Sequence, residues 1–498
     1  MPLNTRLPVA SLGALAALGL LCACGNTAAI TQTPADSGSD AGPDAGPDAG
    51  SDAGPDAGPV DAGLPLTAGV ARVDITPAAG VPLGGYGAAP RRRLDAQGIL
   101  AQAQAARGNC PDPNRAVASS FFTANEGTLD PLYARALVLD NGLARAALIK
   151  VDAIGMTRTL HDDLLAVAIQ LGIKPELFAM VATHSHSGPA SLSKQFLWEL
   201  LAEDCYSEVA YQAYRSGAEL ALRQAVAAMR PARLSLAQSL LRGVSGNRRG
   251  RPDVYDPALA LFKVEGKDGA PIAALFNFAI HGTVLGADNL KFSADVMGAA
   301  ERRIERDVPG AIAIFTNAAE GDVSPSNGFA SGDTLGDTVV GLWPKAAQLE
   351  PVLAGAFEDV VLPHPSFHPG CMPIPGGTTS ICDLLPGGIA QPGAPFDPSW
   401  VSSKGPFQAW RIGNVALAFV PGEPLTEIGW LIKAHGTALG FASTIVVGLA
   451  NDHLSYLPTR AEYERGQYEG QSTLYGPGAG ELAVDAVARV LGHLPAPQ

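Results

Sequence analysis

From residue 70 onward the chain repeats one pattern. A short, almost wholly apolar run ends in polar residues beside Gly or Pro, and segments of helical spacing lie between such runs. The runs cover 144–151, 177–182, 272–280, 311–315, 415–420 and 444–449, and helical spacing marks 159–172 and 198–229, the latter as two helices or one long bent one. Apolar runs of four to nine residues suit strands buried on both faces, and their alternation with helices excludes an all-β sandwich or a helical bundle. The expected class is α/β, a layered mixed sheet flanked by helices. In such folds ligands gather outside the carboxyl ends of the strands.

Those ends carry the chemistry. The run 177–182 leads into Thr183-His184-Ser185-His186, 272–280 into His281-Gly282, and 415–420 into Pro421-Gly422-Glu423; two further ends carry Asn317 to Pro325, with Ser324, and Asn451-Asp452. On an extended segment His184 and His186 would face the same way, roughly 7 Å apart. Turns favour Asn, Asp, Gly and Ser for their own reasons. Two ends bearing His and one bearing Glu are therefore more telling, in a chain with only 9 His in 498 residues. Histidines capping loop carbonyls, and a Glu423 capping the helix that follows it, are the structural alternatives. Zinc accepts imidazole nitrogen and carboxylate oxygen and keeps a position open in catalytic sites, so His184, His281 and Glu423 are its expected ligands, one Zn²⁺ per chain. His453 stays an alternative ligand. His161 and His493 read as surface residues, and His364, His368 and His435 as loop or helix-end residues without partners. Asp152 and Asp322 read as carboxylates that orient their neighbours.

The amino terminus is a targeting segment. Arg6 precedes an apolar core over 9–21 that is too short for a permanent span, and Leu21-Cys22-Ala23-Cys24 resembles a bacterial lipoprotein signal. The expectation is a signal peptide over 1–23, cleavage before Cys24, lipid on its sulfur, and a protein exported to the outer membrane or cell surface. Residues 24–65 are rich in Asp, Ala, Gly and Pro and cannot bury enough surface to fold, so they read as a disordered spacer, leaving 66–498 as the catalytic body. The net charge of −14 falls to −8 once Arg6 and the seven Asp of the spacer are set aside, which argues against nucleic acid as a partner. Arg91-Arg92-Arg93, the one basic cluster, reads as a solvated loop. Outside the signal four cysteines remain. In an exported chain they suggest two disulfides, Cys371 with Cys382 across a Pro/Gly-rich loop and Cys110 with Cys205, a thiolate metal site being the weaker alternative.

Several of these stretches, taken in order, resemble the neutral/alkaline (non-lysosomal) ceramidase family. They are Gly-Val-Ala-Arg-Val-Asp-Ile-Thr-Pro at 69–77, Ala-Thr-His-Ser-His-Ser-Gly-Pro at 182–189, Phe-Asn-Phe-Ala-Ile-His at 276–281, the Gly-Asp-Val-Ser-Pro of 321–325, Val-Pro-Gly-Glu at 420–423, Gly-Leu-Ala-Asn-Asp at 448–452 and Tyr456 through 468–477. The resemblance runs through nearly all of 67–495 and implies a zinc amidase that cleaves the N-acyl bond of ceramide. It implies His184, His281, Glu423 and Tyr456 as zinc ligands and His186 as the catalytic histidine. Ser324 then matches the essential serine, Arg248 the active-site arginine and Tyr468 the tyrosine facing the reacting carbonyl. Ser324 is open to two roles, nucleophile or a hydroxyl that orients water and substrate, and the second is preferred because zinc already activates water. The family's C-terminal immunoglobulin-like domain is not expected here, and residues 363–398 have no counterpart in it. An esterase or amidase for another exported substrate, and a non-catalytic lipid-binding protein, are the competing expectations.

Overall fold

The computed structural model describes residues 65–87, 89–367, 394–395 and 397–497. The expected signal, spacer, Cys24 anchor, Cys371–Cys382 pair and His368 lie outside these residues. Eight strands form the large sheet: β1 (Thr67–Asp74), β2 (Tyr133–Asp140), β3 (Arg145–Val151), β4 (Phe178–Ala182), β5 (Arg230–Leu240), β6 (Ala258–Gly266), β7 (Pro271–Phe278) and β8 (Ile312–Asn317). Their order is β4-β3-β2-β1-β5-β6-β7-β8, parallel at β3/β4 and β7/β8 and antiparallel elsewhere, with Ala347–Gln348 added beside β5. A second sheet runs β9 (Leu353–Val361), β10 (Lys404–Ile412), β11 (Val415–Phe419) and β12 (Ser443–Val447), with β11/β12 parallel.

The layering explains the unbroken apolar runs. In β4 the side chains of Phe178 and Met180 join one core, against α1 (Arg158–Gln170) and α2 (Glu208–Ala227), while Ala179 and Val181 join another, between the two sheets. Successive residues of a strand point to opposite faces, so a strand covered on both sides must be apolar at every position. The second sheet repeats the arrangement. Phe407 and Ala409 face α5 (Thr426–Ala438) and α6 (Ala479–Gly492), and Trp410 and Ile412 face the shared interior. The outer face of β6–β8 is closed by α3 (Asp295–Asp307) and α4 (Phe329–Leu342). The result is the layered mixed α/β architecture expected.

Three strand ends meet through one amide. Asn317, closing β8, donates to the carbonyls of Ile280 at 2.8 Å and Thr183 at 3.3 Å, which gathers the ends of β4, β7 and β8. The stretch 198–229 is neither one helix nor two plain ones. A short helix, Phe196–Trp198, passes into the π-helical turn Glu199–Glu203, the chain breaks at Asp204 with φ of 67°, and α2 follows. Cys110 and Cys205 form the expected disulfide.

Two surface expectations are corrected. His161 is buried on α1, its ring 5.6 Å from that of Phe178 and its Nδ1 2.9 Å from Asp162, because it flanks the apolar stripe of Leu160 and Leu164. Arg91 and Arg92 are each only 1% exposed. Arg91 donates to the carbonyls of Gly84 and His186. Arg92 lies over the rings of Phe121 and Phe122 and donates to the Leu200 carbonyl at 2.7 Å. A planar guanidinium tolerates such a place when carbonyls take its donors and aromatic faces its cation. Only Arg93, paired with Asp95, fits the solvated reading.

Candidate active site

Beyond β4 the backbone turns sharply. His184 has φ of 68°, a left-handed conformation that a residue with a Cβ adopts only under constraint. Backbone bonds from Thr183 N to Val151 O and from His184 N to Ala153 O hold it there. The turn replaces the extended spacing expected and draws the rings of His184 and His186 to 4.8 Å between centroids. His281 arrives just past the end of β7, and a parallel bridge between Ser185 and Gly282 splices the two histidine segments together. Gly282 is required by this closeness, since a Cβ there would lie 2.5 Å from the His184 carbonyl oxygen. Glu423 follows β11, and the pair Glu423–Pro424 runs parallel to Tyr456–Leu457, bringing Glu423 opposite Tyr456.

The donors converge. His184 Nε2 and His281 Nε2 lie 3.3 and 3.5 Å from the same carboxylate oxygen, Glu423 Oε2, and His186 Nε2 lies 3.3 Å from His184 Nε2. Ring nitrogens of His184, His186 and His281 all fall within 4.8 Å of one another. A zinc tetrahedron with arms of about 2.0–2.1 Å has edges of about 3.3 Å, the spacing found here. The outward nitrogens are anchored, His184 Nδ1 to Ile154 O at 2.6 Å and His281 Nδ1 to Glu320 O at 3.0 Å. Each carbonyl accepts a hydrogen bond from the Nδ1–H of its ring, which fixes the tautomer and turns the Nε2 lone pair inward. His281 Nε2 and Glu423 Oε2 are buried with no hydrogen-bond partner. Buried polar atoms are rarely left so, and a cation would satisfy both. The residues present fit zinc.

Electrostatics agree. Burial, then His184 and His281, hold the His186 ring well below the usual imidazole value. Burial, with Arg248 and His184 adding, lowers His281 to about 3. Burial pushes the Glu423 carboxyl up, but the charge of His184 and the closeness of the His184, His281 and His453 ring nitrogens outweigh it and hold it well below the carboxylate range. Imidazole nitrogens around an ionised carboxylate suit a divalent cation, and His186 and His281 are held neutral there.

The remaining expected residues sit on short strands and turns, except Tyr468, which opens the short helix Tyr468–Gln471. Arg248 is pinned by Glu469 at 2.7 Å, the Gly321 carbonyl at 2.8 Å and the Tyr456 hydroxyl at 3.1 Å, and it lies over the rings of Tyr456 and Tyr468. Burial works against its charge, but Tyr456 and Glu469 outweigh burial and keep it protonated. The rings of Tyr456 and Tyr468 meet edge-on at 5.5 Å. Ser324, half-buried, lies opposite Gly246 on a short ribbon of Ser245–Asn247 with Val323–Pro325, two residues from Arg248 in pairing. Arg249, not Arg248, makes the structural pairs with Asp322 and Glu462. Asp322 also accepts from Thr426, and Asp152 from Tyr133 N and Lys150, the supporting roles expected of them.

Glu320, Arg91 and Tyr86 escaped the reading of the sequence, and His453 was read only as an alternative ligand. His453 Nε2 lies 3.0 Å from Glu423 Oε1, so the alternative ligand is in contact with the expected one. Glu320 is buried with both carboxylate oxygens unpartnered, and burial and the nearby Glu423 raise it well above its usual value. Arg91 and Tyr86 line His186, the Tyr86 ring at 4.8 Å. A Glu inside Asn-Ala-Ala-Glu-Gly-Asp looks like any polar turn, and only the rarity of His marked His453.

Residues 119–336 and 384–483 match the family model described as neutral/alkaline non-lysosomal ceramidase, N-terminal. The neutral ceramidase of Pseudomonas aeruginosa is 25% identical over 430 residues, which cover 69% of this chain and 64% of that protein. That of Mycobacterium tuberculosis is 25% identical over 388 residues, covering 60% of each. The chain thus spans less than two thirds of the length of these curated relatives. Among solved structures, the P. aeruginosa neutral ceramidase superposes with a TM-score of 0.68 at 23% identity, over 87% of this chain and 75% of that one. A ceramidase complexed with C2 gives 0.69 at 22%, over 87% and 76%. These likenesses establish the shared fold, and the match of the family model over most of the described body establishes the kinship: the chain belongs to the neutral/alkaline non-lysosomal ceramidase family.

Proposed function

We propose that this protein is a zinc-dependent amidohydrolase that cleaves the N-acyl amide bond of ceramide or a related N-acyl lipid, releasing a fatty acid and a sphingoid base. The observation that carries the reading is the Glu423 oxygen shared by His184 and His281 at the spacing of a zinc tetrahedron. His184, His281 and Glu423 would hold the cation, with Tyr456 beside Glu423 as fourth donor. Zinc bound there supplies Lewis acidity and brings the pKa of water from about 15.7 toward about 7.

The chain's own residues supply the rest. His186 is neutral, so its ring can take a proton from water and return it to the leaving amine. Arg248 is fixed by three partners before substrate arrives, and its guanidinium with the Tyr468 hydroxyl would meet the developing oxyanion without reorganising. Ser324 orients the attacking water or a substrate hydroxyl. In this reading residues 1–23 direct export, lipid on Cys24 holds the protein at the outer membrane or cell surface, and residues 24–65 act as a spacer for the catalytic body. The family match and the neutral ceramidases among the relatives support the substrate class.

The test is product analysis on N-acyl sphingosine, with short acyl esters alongside. Release of free sphingosine, abolished by His186→Ala, is expected. Brisk ester cleavage with no sphingosine would overturn the substrate assignment.

A further inference from the structure

We propose that His453 is a positioning residue that donates its Nε2–H to Glu423 Oε1 and so reserves Oε2 for the cation. The inference rests on the metal reading above. Two oxygens of one carboxylate have different company here. Oε1 lies 3.0 Å from His453 Nε2, whereas Oε2 lies 3.3 and 3.5 Å from His184 and His281 and has no hydrogen-bond partner. An ionised carboxylate only accepts, so a contact of that length with an imidazole requires the proton on Nε2. The terminal torsion of a Glu side chain is broad. Without a donor on one oxygen, the group would swing between presenting one oxygen and presenting both.

His453 is built to prevent that swing. Its ring stacks on Trp198 at 4.4 Å and 8° between planes. Its backbone N–H is held by Asp452 Oδ1 at 2.8 Å, and the loop around it is fixed by left-handed Asn451 and Ser455. The Ser455 carbonyl accepts from Glu423 N at 2.9 Å, so donor and acceptor are mounted on the same loop. Gly155 leaves room for the ring, since a Cβ there would stand 2.4 Å from His453 Nδ1. The His453 ring is 6.3 Å from that of His184, against 4.4 and 4.8 Å for His281 and His186. It stands one layer behind the donor set.

The test is zinc affinity of the full chain by competition with a chromogenic chelator, which needs no substrate. His453→Ala and His453→Phe should each raise the zinc dissociation constant about 10–100-fold, the usual cost of losing a partner that orients a ligand. His453→Phe keeps the ring on Trp198, so a purely structural role would leave it near wild type. His453→Gln restores an N–H donor and should recover most of the loss. The visible bands of the cobalt-loaded protein should keep their positions in all variants. A His453→Phe chain that binds zinc as wild type does, a Gln variant no better than Ala, or shifted cobalt bands, which would make His453 itself a ligand, overturns the inference alone. A wild-type chain that takes up no zinc overturns the metal reading and this inference together.

Discussion

Two of the buried groups of charged side chains differ in what is left over. In the first, Lys150 lies 2.7 Å from Asp152 and 3.0 Å from Glu301, and Arg135 lies 3.2 Å from Glu301 and also pairs with Glu305. Backbone N–H groups of Tyr133 and Phe315 occupy the spare carboxylate oxygens. In the second, His184, His186, His281, Glu423 and Glu320 come together while the neighbouring cations, Arg91 and Arg248, are held by carbonyls and by Glu469, and several of the group's polar atoms face no partner. Both groups bear the cost of desolvation. With Arg72 on Glu305 the first balances its charges and closes. The second gathers lone pairs of one kind around one point, an arrangement that gains nothing from folding alone and becomes favourable with a divalent cation.

Four substitutions separate the two kinds of cluster. Glu423→Gln should abolish zinc retention and turnover, a loss beyond the about 100-fold typical of outer partners, while the thermal midpoint of the metal-free chain stays near wild type. Zinc analysis and calorimetry check it together. Lys150→Met should do the opposite. It leaves Asp152 without its cation and Glu301 with Arg135 alone, costing about 3–5 kcal/mol in denaturant unfolding, with zinc per folded chain unchanged. Arg248→Lys should lower kcat about 10²–10³-fold, the cost of removing a fixed oxyanion donor, because Lys cannot reach Glu469, Gly321 and Tyr456 at once. Its zinc content should equal wild type.

The smallest effect concerns pH. Burial raises the Glu203 carboxyl from 4.5 to about 7, despite backbone donors at Ser193 and Leu192. The folded chain therefore holds this proton more tightly than the unfolded one. Its contribution to stability is fully present below pH 4.5 and fades as pH rises through about 7. Glu203→Gln should flatten that part of the stability profile and leave zinc binding untouched. An unchanged profile would contradict the assignment.

How much of this was legible follows from the physics of each signal. Strands covered on both faces must be apolar throughout, so β3, β4, β7, β8, β11 and β12 stood out, and rare histidines at two of their ends exposed His184 and His281. The ordered motifs of the resemblance added Tyr456, Tyr468, Arg248 and Ser324, which no spacing rule would have singled out. Burial of Arg91 and Arg92 was illegible because their neutralising partners are carbonyls and the rings of Phe121 and Phe122, which a charge count cannot see. The left-handed turn at His184 was hidden as well, since it is enforced by Val151 and Ala153, more than thirty residues away. His453 was visible as a residue but not as a role, because its meaning lies in which oxygen of Glu423 it touches.

The most direct measurement is metal content of the purified full chain and of its Glu423→Gln and Lys150→Met variants, read beside hydrolysis of N-acyl sphingosine. The account predicts about one zinc per chain in the wild type and in Lys150→Met, and neither zinc nor product in Glu423→Gln. Active wild-type protein with no zinc, or a Glu423→Gln chain that keeps both metal and turnover, would contradict it.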